Sequence, residues 1–217
     1  MKKKLAAVFS AALLCLVLAG CGKDFSAADL LQANLDLLYK GECSDIALKD
    51  LALSSAEAQQ MYQDGLNNEA ANFAAYFDIN LDLLPADAKT RLTQLCGQIC
   101  QLAEYKVGAQ NKITDGYSVE LIVQPLDIMQ RFADEDAEAV TAAWQAKMDS
   151  GQLDKLTDAE HEAVWAEGIL QAISARAAAP TYQEEQTLHI KVIKDTDGAY
   201  IIDDEDWQQV IRLLIPY

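Results

Sequence analysis

Asp115-Gly116-Tyr117-Ser118-Val119-Glu120-Leu121-Ile122-Val123-Gln124-Pro125 is the stretch whose reading decides the fold. Tyr117, Val119, Leu121 and Val123 alternate with Ser118, Glu120, Ile122 and Gln124. A period of two marks a strand with one buried face. Asp115-Gly116 ahead of it predicts a tight hairpin turn, with the glycine at positive φ. Glu104 to Lys112 is then expected to be the partner strand. Pro125 stops the strand, because it cannot donate to a ladder. Asp127 follows as a helix cap. A second alternation comes later, with Leu188, Ile190 and Val192 against His189, Lys191 and Ile193. Asp197-Gly198 makes its turn, and Tyr200 to Ile202 return. A lone hairpin is marginal in water, so both are expected to share one antiparallel sheet.

Helices fill the rest. Ser26…Asp29, Ser54…Glu57 and Thr157…Glu160 each place a hydroxyl three residues before an acid. The hydroxyl caps an early amide, and the acid complements the positive helix end. The expected helices run over 26–40, 55–77, from Pro85 to about Leu102, 127–149, 158–177, and a short last one after Asp203-Asp204-Glu205. Gly41 suits the C-cap of the first. Leu30, Leu31, Leu35 and Leu38 recur on it at helical spacing, as Met61, Tyr62, Leu66, Phe73, Tyr76 and Phe77 do on the second. Leu92, Leu95, Ile99 and Leu102 form the third stripe. Met129, Phe132, Val140, Trp144 and Met148 form the fourth. Trp144, Trp165 and Trp207 all fall at core spacing. The fold class is therefore α+β, mainly helical, with two β-hairpins joined in one antiparallel sheet packed against helices.

The start of the chain has another character. Lys2, Lys3 and Lys4 precede an apolar run from Leu5 to Leu18, and Leu18-Ala19-Gly20-Cys21 closes it. A basic segment, an apolar segment and small residues make an export signal. Cysteine directly after Leu-Ala-Gly makes it a lipoprotein signal, with Cys21 the lipidated first residue of the mature protein. The apolar run is shorter than the ~20 residues that span a bilayer. Residues 1–20 are thus expected to be a signal peptide and 21–25 a lipidated tether. Residues 26–217 are expected to form a single extracytoplasmic domain. Extended, the tether reaches on the order of 15–20 Å at ~3.5 Å per residue.

Removing the signal takes three lysines and no acid, which deepens the net charge from −17 to −20. Such a surface repels nucleic acid and anionic headgroups and favours cationic ligands. Of five cysteines, Cys43, Cys96 and Cys100 remain beyond Cys21. Cys96 and Cys100 lie four apart on a helix with parallel Cβ vectors, which disfavours a bridge between them. Cys43 could pair with either, or all three could stay buried and free.

Chemistry is sparse. Asp195-Thr196-Asp197-Gly198 resembles a calcium loop but puts Ile193 at the first ligand position, so a plain turn is expected. Asp203-Asp204-Glu205-Asp206 reads as a charged helix start, and Asp134-Glu135-Asp136 as a solvated helix face. His161 and His189 are expected at the surface, with no nucleophile or orienting acid marked for either. No metal site, cofactor or catalytic residue is expected.

Leu35-Asp36-Leu37-Leu38-Tyr39-Lys40-Gly41, Ser55-Ala56-Glu57-Ala58, Tyr105-Lys106-Val107-Gly108, the run from Val119 to Asp127-Ile128, and Gly198-Ala199-Tyr200-Ile201-Ile202-Asp203 together carry a resemblance. They are similar to uncharacterised lipoproteins of Gram-positive anaerobes with a domain of unknown function (DUF5105-like). The resemblance implies a surface lipoprotein with a cystatin-like or nuclear-transport-factor-2-like cone, and it adds no site residue beyond Cys21. The expected protein is a non-enzymatic, membrane-anchored surface lipoprotein on the extracytoplasmic face, with a binding or envelope role. A solute-binding component of a transporter, or a small hydrolase, is the alternative. A curved sheet would offer a pocket lined by Tyr117, Val119, Leu121, Leu188, Ile190 and the second helix.

Overall fold

The structure is a computed structural model that describes residues 25–51 and 53–217. The signal segment 1–20 and Cys21 lie outside the described residues. Helix α1 (Ala27–Leu35) runs on into a π-helical turn over Asp36–Lys40. Then follow α2 (Asp45–Asp50), α3 (Ser55–Tyr76) and α4 (Ala86–Gln101). Strands β1 (Glu104–Ile113) and β2 (Gly116–Gln124) make the first hairpin. Next come α5 (Ile128–Arg131), a second π turn over Phe132–Asp136, α6 (Ala137–Asp149) and α7 (Asp158–Ala177). Strands β3 (Gln186–Lys194) and β4 (Tyr200–Ile202) and helix α8 (Asp204–Leu214) complete the order.

The three hydroxyl caps act as the sequence predicts, whereas Asp127 precedes α5 (Ile128–Arg131) without a side-chain cap and accepts instead from Thr181 Oγ1 at 2.7 Å. Ser54 and Thr157 each accept from the amide three residues on, and Glu57 and Glu160 reach back to the capping amides. Ser26 accepts from the Asp29 amide. Gly41 sits at φ 66° and closes the first helix, and a Cβ there would strike the Tyr62 ring at 2.7 Å. Ser44 caps the short helix α2, its side chain accepting from the Ala47 amide.

All four strands form one antiparallel sheet in the order β1-β2-β3-β4. Val119, Leu121, Val123, Ile190 and Val192 are fully buried on its inner face. Helix α1 lies there against β1 and β2, and α8 against β2 and β3. Helices α3 and α4 pack on the π turn that ends α1, and α7 packs on α4. The outer face is polar, with Glu120 opposite His189 and Ser118 opposite Lys191. Between β2 and β3 the chain leaves for α5–α7 and returns to where it left. Leu126 bridges Tyr182, Asp127 N donates to Thr181 O at 3.2 Å, and Gln183 N donates to Pro125 O at 2.8 Å.

Three expectations need correction. Gly116 does not supply a positive φ, and neither does Thr114 or Asp115 in the turn. Glycine is needed there because a Cβ would sit 2.0 Å from the Val192 carbonyl oxygen of β3. The demand comes from the neighbouring strand, which local turn reading cannot see. The expected pocket between sheet and helices is occupied by packing. Val119, Leu121 and Ile190 carry 0–1% exposure and belong to the central core, so no water-sized space touches them. The fourth helical stripe holds only at its start. Met129 and Phe132 are buried, Val140 and Trp144 are half-buried, and Met148 is 37% exposed. Trp165 and Trp207 are also half-buried, at the margin of the core.

Gly116→Ala should lower the unfolding free energy by about 1–3 kcal/mol, since backbone has to move to relieve the clash. Gly65→Ala, where the nearest atom is 3.7 Å away inside α3, should instead stabilise by about 0.5–1 kcal/mol. Urea denaturation of both variants checks the pair, and equal effects would refute the close-approach reading.

Candidate binding groove

The π turn at the end of α1 carries one residue more than an α turn would, and such bulges recur at functional sites. It sets Asp36 and Lys40 beside the start of β1. Tyr105 OH and Gln32 Nε2 both donate to Asp36 Oδ1, each at 2.8 Å. Lys40 Nζ donates to the carbonyls of Gln101 at 2.6 Å and Ala103 at 2.7 Å, just past α4. These groups border an open groove of about 760 Å³, whose rim also carries Glu42, Glu104, Lys106 and Glu185.

The electrostatics of the groove follow from these bonds. Burial lowers the Lys40 pKa, while Asp36 and Glu104 pull it back up. Its charge is spent on the otherwise unsatisfied carbonyls at a helix end. Burial raises the Tyr105 phenol, and the Asp36 hydrogen bond raises it further, so it stays a donor. What remains for a ligand is a mainly acidic rim with an aromatic wall and amide edges at Gln32 and Gln124. That chemistry suits hydrogen bonding and attraction of positive charge. It offers no paired nucleophile and base.

A second polar centre lies deeper. Glu69 of α3 is 3% exposed. Tyr217 OH donates to its Oε1, while Oε2 has no hydrogen-bond partner among the described residues. Leu38, Leu66, Ile211 and Ile215 surround it, and the adjoining cavity of about 10 Å³ is too small for a ligand. Burial pushes its pKa up to about 7, against the opposing pull of Tyr217 and Asn72. Burial also raises the Cys96 and Cys100 thiols nearby. Thiols held protonated in apolar surroundings are unreactive. Cys43, Cys96 and Cys100 are all free, so the Cys43 bridge left open by the sequence is not made.

The remaining sequence candidates disperse over the surface. His161 is half-buried rather than exposed, with its Nε2 2.8 Å from the Leu153 carbonyl oxygen. His189 is exposed on the outer sheet face. Asp195 Oδ1 accepts from the amides of Asp197 and Ala199, each at 2.9 Å, which makes a plain turn. Asp203 caps α8, and Asp206 accepts from the Lys191 amide at 2.8 Å. Asp134 and Glu135 are exposed as expected, while Asp136 is half-buried. Arg176 forms ion pairs with Glu135 and Asp136, each at 2.7 Å, and Arg131 pairs with Glu135 at 3.0 Å. No three metal-ligating side chains converge among the described residues.

The groove and Glu69 were missed in the sequence. For Glu69 a signal existed: Leu66, Glu69 and Phe73 share one helical face, so the acid interrupts a core stripe. For Asp36 and Tyr105 there was none, because their contact crosses 69 residues.

A solved structure shares this fold. It is the crystal structure of a candidate lipoprotein, ycdA, from Bacillus subtilis. The two superpose with a TM-score of 0.58 over 88% of this chain, at 15% identity. The chain spans 56% of that protein's length, and the likeness is one of fold. No family model matches the chain, and no curated protein does.

The sign of the Glu69 effect is set by its raised pKa. The folded state holds the proton more tightly than the unfolded chain, whose carboxyl titrates near 4.5. Stability is therefore full below that value and is lost as pH rises through about 7. Between about pH 5 and about pH 8 the protein should lose about 3 kcal/mol relative to Glu69→Gln. Parallel pH profiles in urea denaturation would show that Glu69 does not titrate from a buried position.

Proposed function

We propose that this chain is a lipid-anchored, extracytoplasmic surface lipoprotein that works by binding rather than catalysis, of the DUF5105-like kind. The observation that carries the reading is Leu18-Ala19-Gly20-Cys21 behind a basic and apolar leader, followed within four residues by Phe25. Phe25 is already seated on the fold, its ring 4.1 Å from that of Tyr200. The ycdA likeness supports the fold half of the proposal, and that protein's description supports the lipoprotein half. Among the described residues no helix is long and apolar enough to cross a membrane.

The open groove at the π turn is the surface offered to a ligand, and its acidic rim favours one that carries positive charge. Binding is preferred over hydrolysis because Asp36, Tyr105 and Lys40, all half-buried there, are occupied with neighbours. A solute-binding component built from two parallel-stranded lobes gains no support from one antiparallel sheet. Nucleic acid is disfavoured by the charge of −17, which excision of the signal would deepen.

Cells fed labelled palmitate test the anchor. The wild-type chain should take up label and sediment with membranes, and Cys21→Ala should do neither. Unchanged labelling of Cys21→Ala would overturn the proposal.

A further inference from the structure

Phe25 fixes which end of the molecule a lipid at Cys21 would hold. Its ring stacks on Tyr200 at 4.1 Å and 7°, and tilts against Tyr117 at 5.6 Å. Tyr117 and Tyr200 stand 5.6 Å apart and complete the triangle. Lys194 Nζ lies 5.1 Å from the Tyr200 ring centre. Directly after Phe25, Ser26 caps α1 and Ala28 N donates to Gln110 Oε1 at 2.9 Å. Aromatic stacking at Phe25 and the Ala28–Gln110 hydrogen bond therefore hold the start of α1 to the sheet, and the Ser26 cap sets where the helix begins.

This anchorage lies at the turn end of both hairpins. Tyr117 pairs with Lys112 across β1–β2, and Tyr200 pairs with Lys194 across β3–β4. Gly116 pairs with Ile193, so the two turns share one end of the sheet. From there α1 runs along the inner face, with Ala28 at Gln110 and Asp36 at Tyr105. The groove at the π turn is thus at the opposite end, about 20 Å away at 1.5 Å rise per residue.

Resting on the anchor reading above, we infer that the turn end of the sheet is a bilayer-contacting surface and that the groove opens away from the membrane. Four residue steps separate Cys21 from Phe25, so the seat lies within about 14 Å of the lipidated sulfur's backbone. The partner is the headgroup layer of the bilayer that holds the lipid. The turn end carries Ile113, 36% exposed. Lys112 and Lys194 are exposed beside it, and Asp115 and Asp197 stand with them. Mixed signs of charge around an apolar tip suit zwitterionic headgroups, whereas the acidic remainder of the surface is repelled by anionic ones.

The test uses the full lipidated chain with Cys43→Ser, in phosphatidylcholine vesicles that contain headgroup-nitroxide phosphatidylcholine. A bimane fluorophore is attached at Lys112→Cys in one sample and at Lys106→Cys in another. Both sites are exposed on β1, at its two ends. Quenching should be several-fold stronger at 112 than at 106. Equal quenching, or stronger quenching at 106, in protein shown by mass to carry the lipid overturns the orientation alone. Protein recovered without lipid on Cys21 overturns the anchor reading and the orientation with it. Phe25→Ala should shrink the difference while lipidation persists, and an undiminished difference would remove Phe25 from its role.

Discussion

The pairing of β2 with β3 is the constraint on which the rest depends. It joins two hairpins that would each be marginal alone, and it does so across an excursion of three helices. The approach is so close at Gly116 that only hydrogen fits against the Val192 carbonyl. Once that register is set, Val119 meets Ile190 and Leu121 meets Leu188 on one face. That apolar face is what α1 and α8 cover. Their ends in turn place the π turn beside β1 and Tyr217 beside Glu69.

Much of this was legible in the sequence because it is local. Alternation gave both hairpins, hydroxyl–acid spacing gave the helix starts, and Gly41 marked a helix end through its own φ. The illegible features are those that need two distant segments. Gly116 carries the same letter as a turn glycine but answers to another strand. Asp36 and Tyr105 are partners 69 positions apart, and Glu69, visible only as an acid on a core stripe, meets Tyr217 148 positions away. The Trp residues mislead for a different reason. Helical spacing says which face a side chain shares, and it cannot say how much material lies beyond that face. Around α6 there is little, so Trp144 and Met148 stay at the margin.

The two polar centres differ in kind. At the groove Asp36, Tyr105 and Lys40 are satisfied by neighbours, and the rim left over is mainly acidic and accessible. At Glu69 one carboxylate oxygen lacks a partner, but no ligand can reach it. The first arrangement leaves a surface open to solvent. The second makes the seat of α3 against Tyr217 depend on a proton, since desolvation outweighs the pull of Tyr217 and Asn72.

The excursion between β2 and β3 has consequences for how such a chain can change. Its two stems are laced together by the Leu126–Tyr182 bridge and the backbone bonds on either side. Its base is also tied into the core through Ile128, Met129, Ile169 and Ile173, and through Arg176 on Asp136. Its tip, the turn between α6 and α7, lies mostly at the surface. Sequence added or lost at that tip would leave both the stems and the sheet register untouched. The excursion is thus rooted in the core at its base and free at its tip, and that tip is where a chain of this fold can gain length and new surface without having to solve the folding problem again.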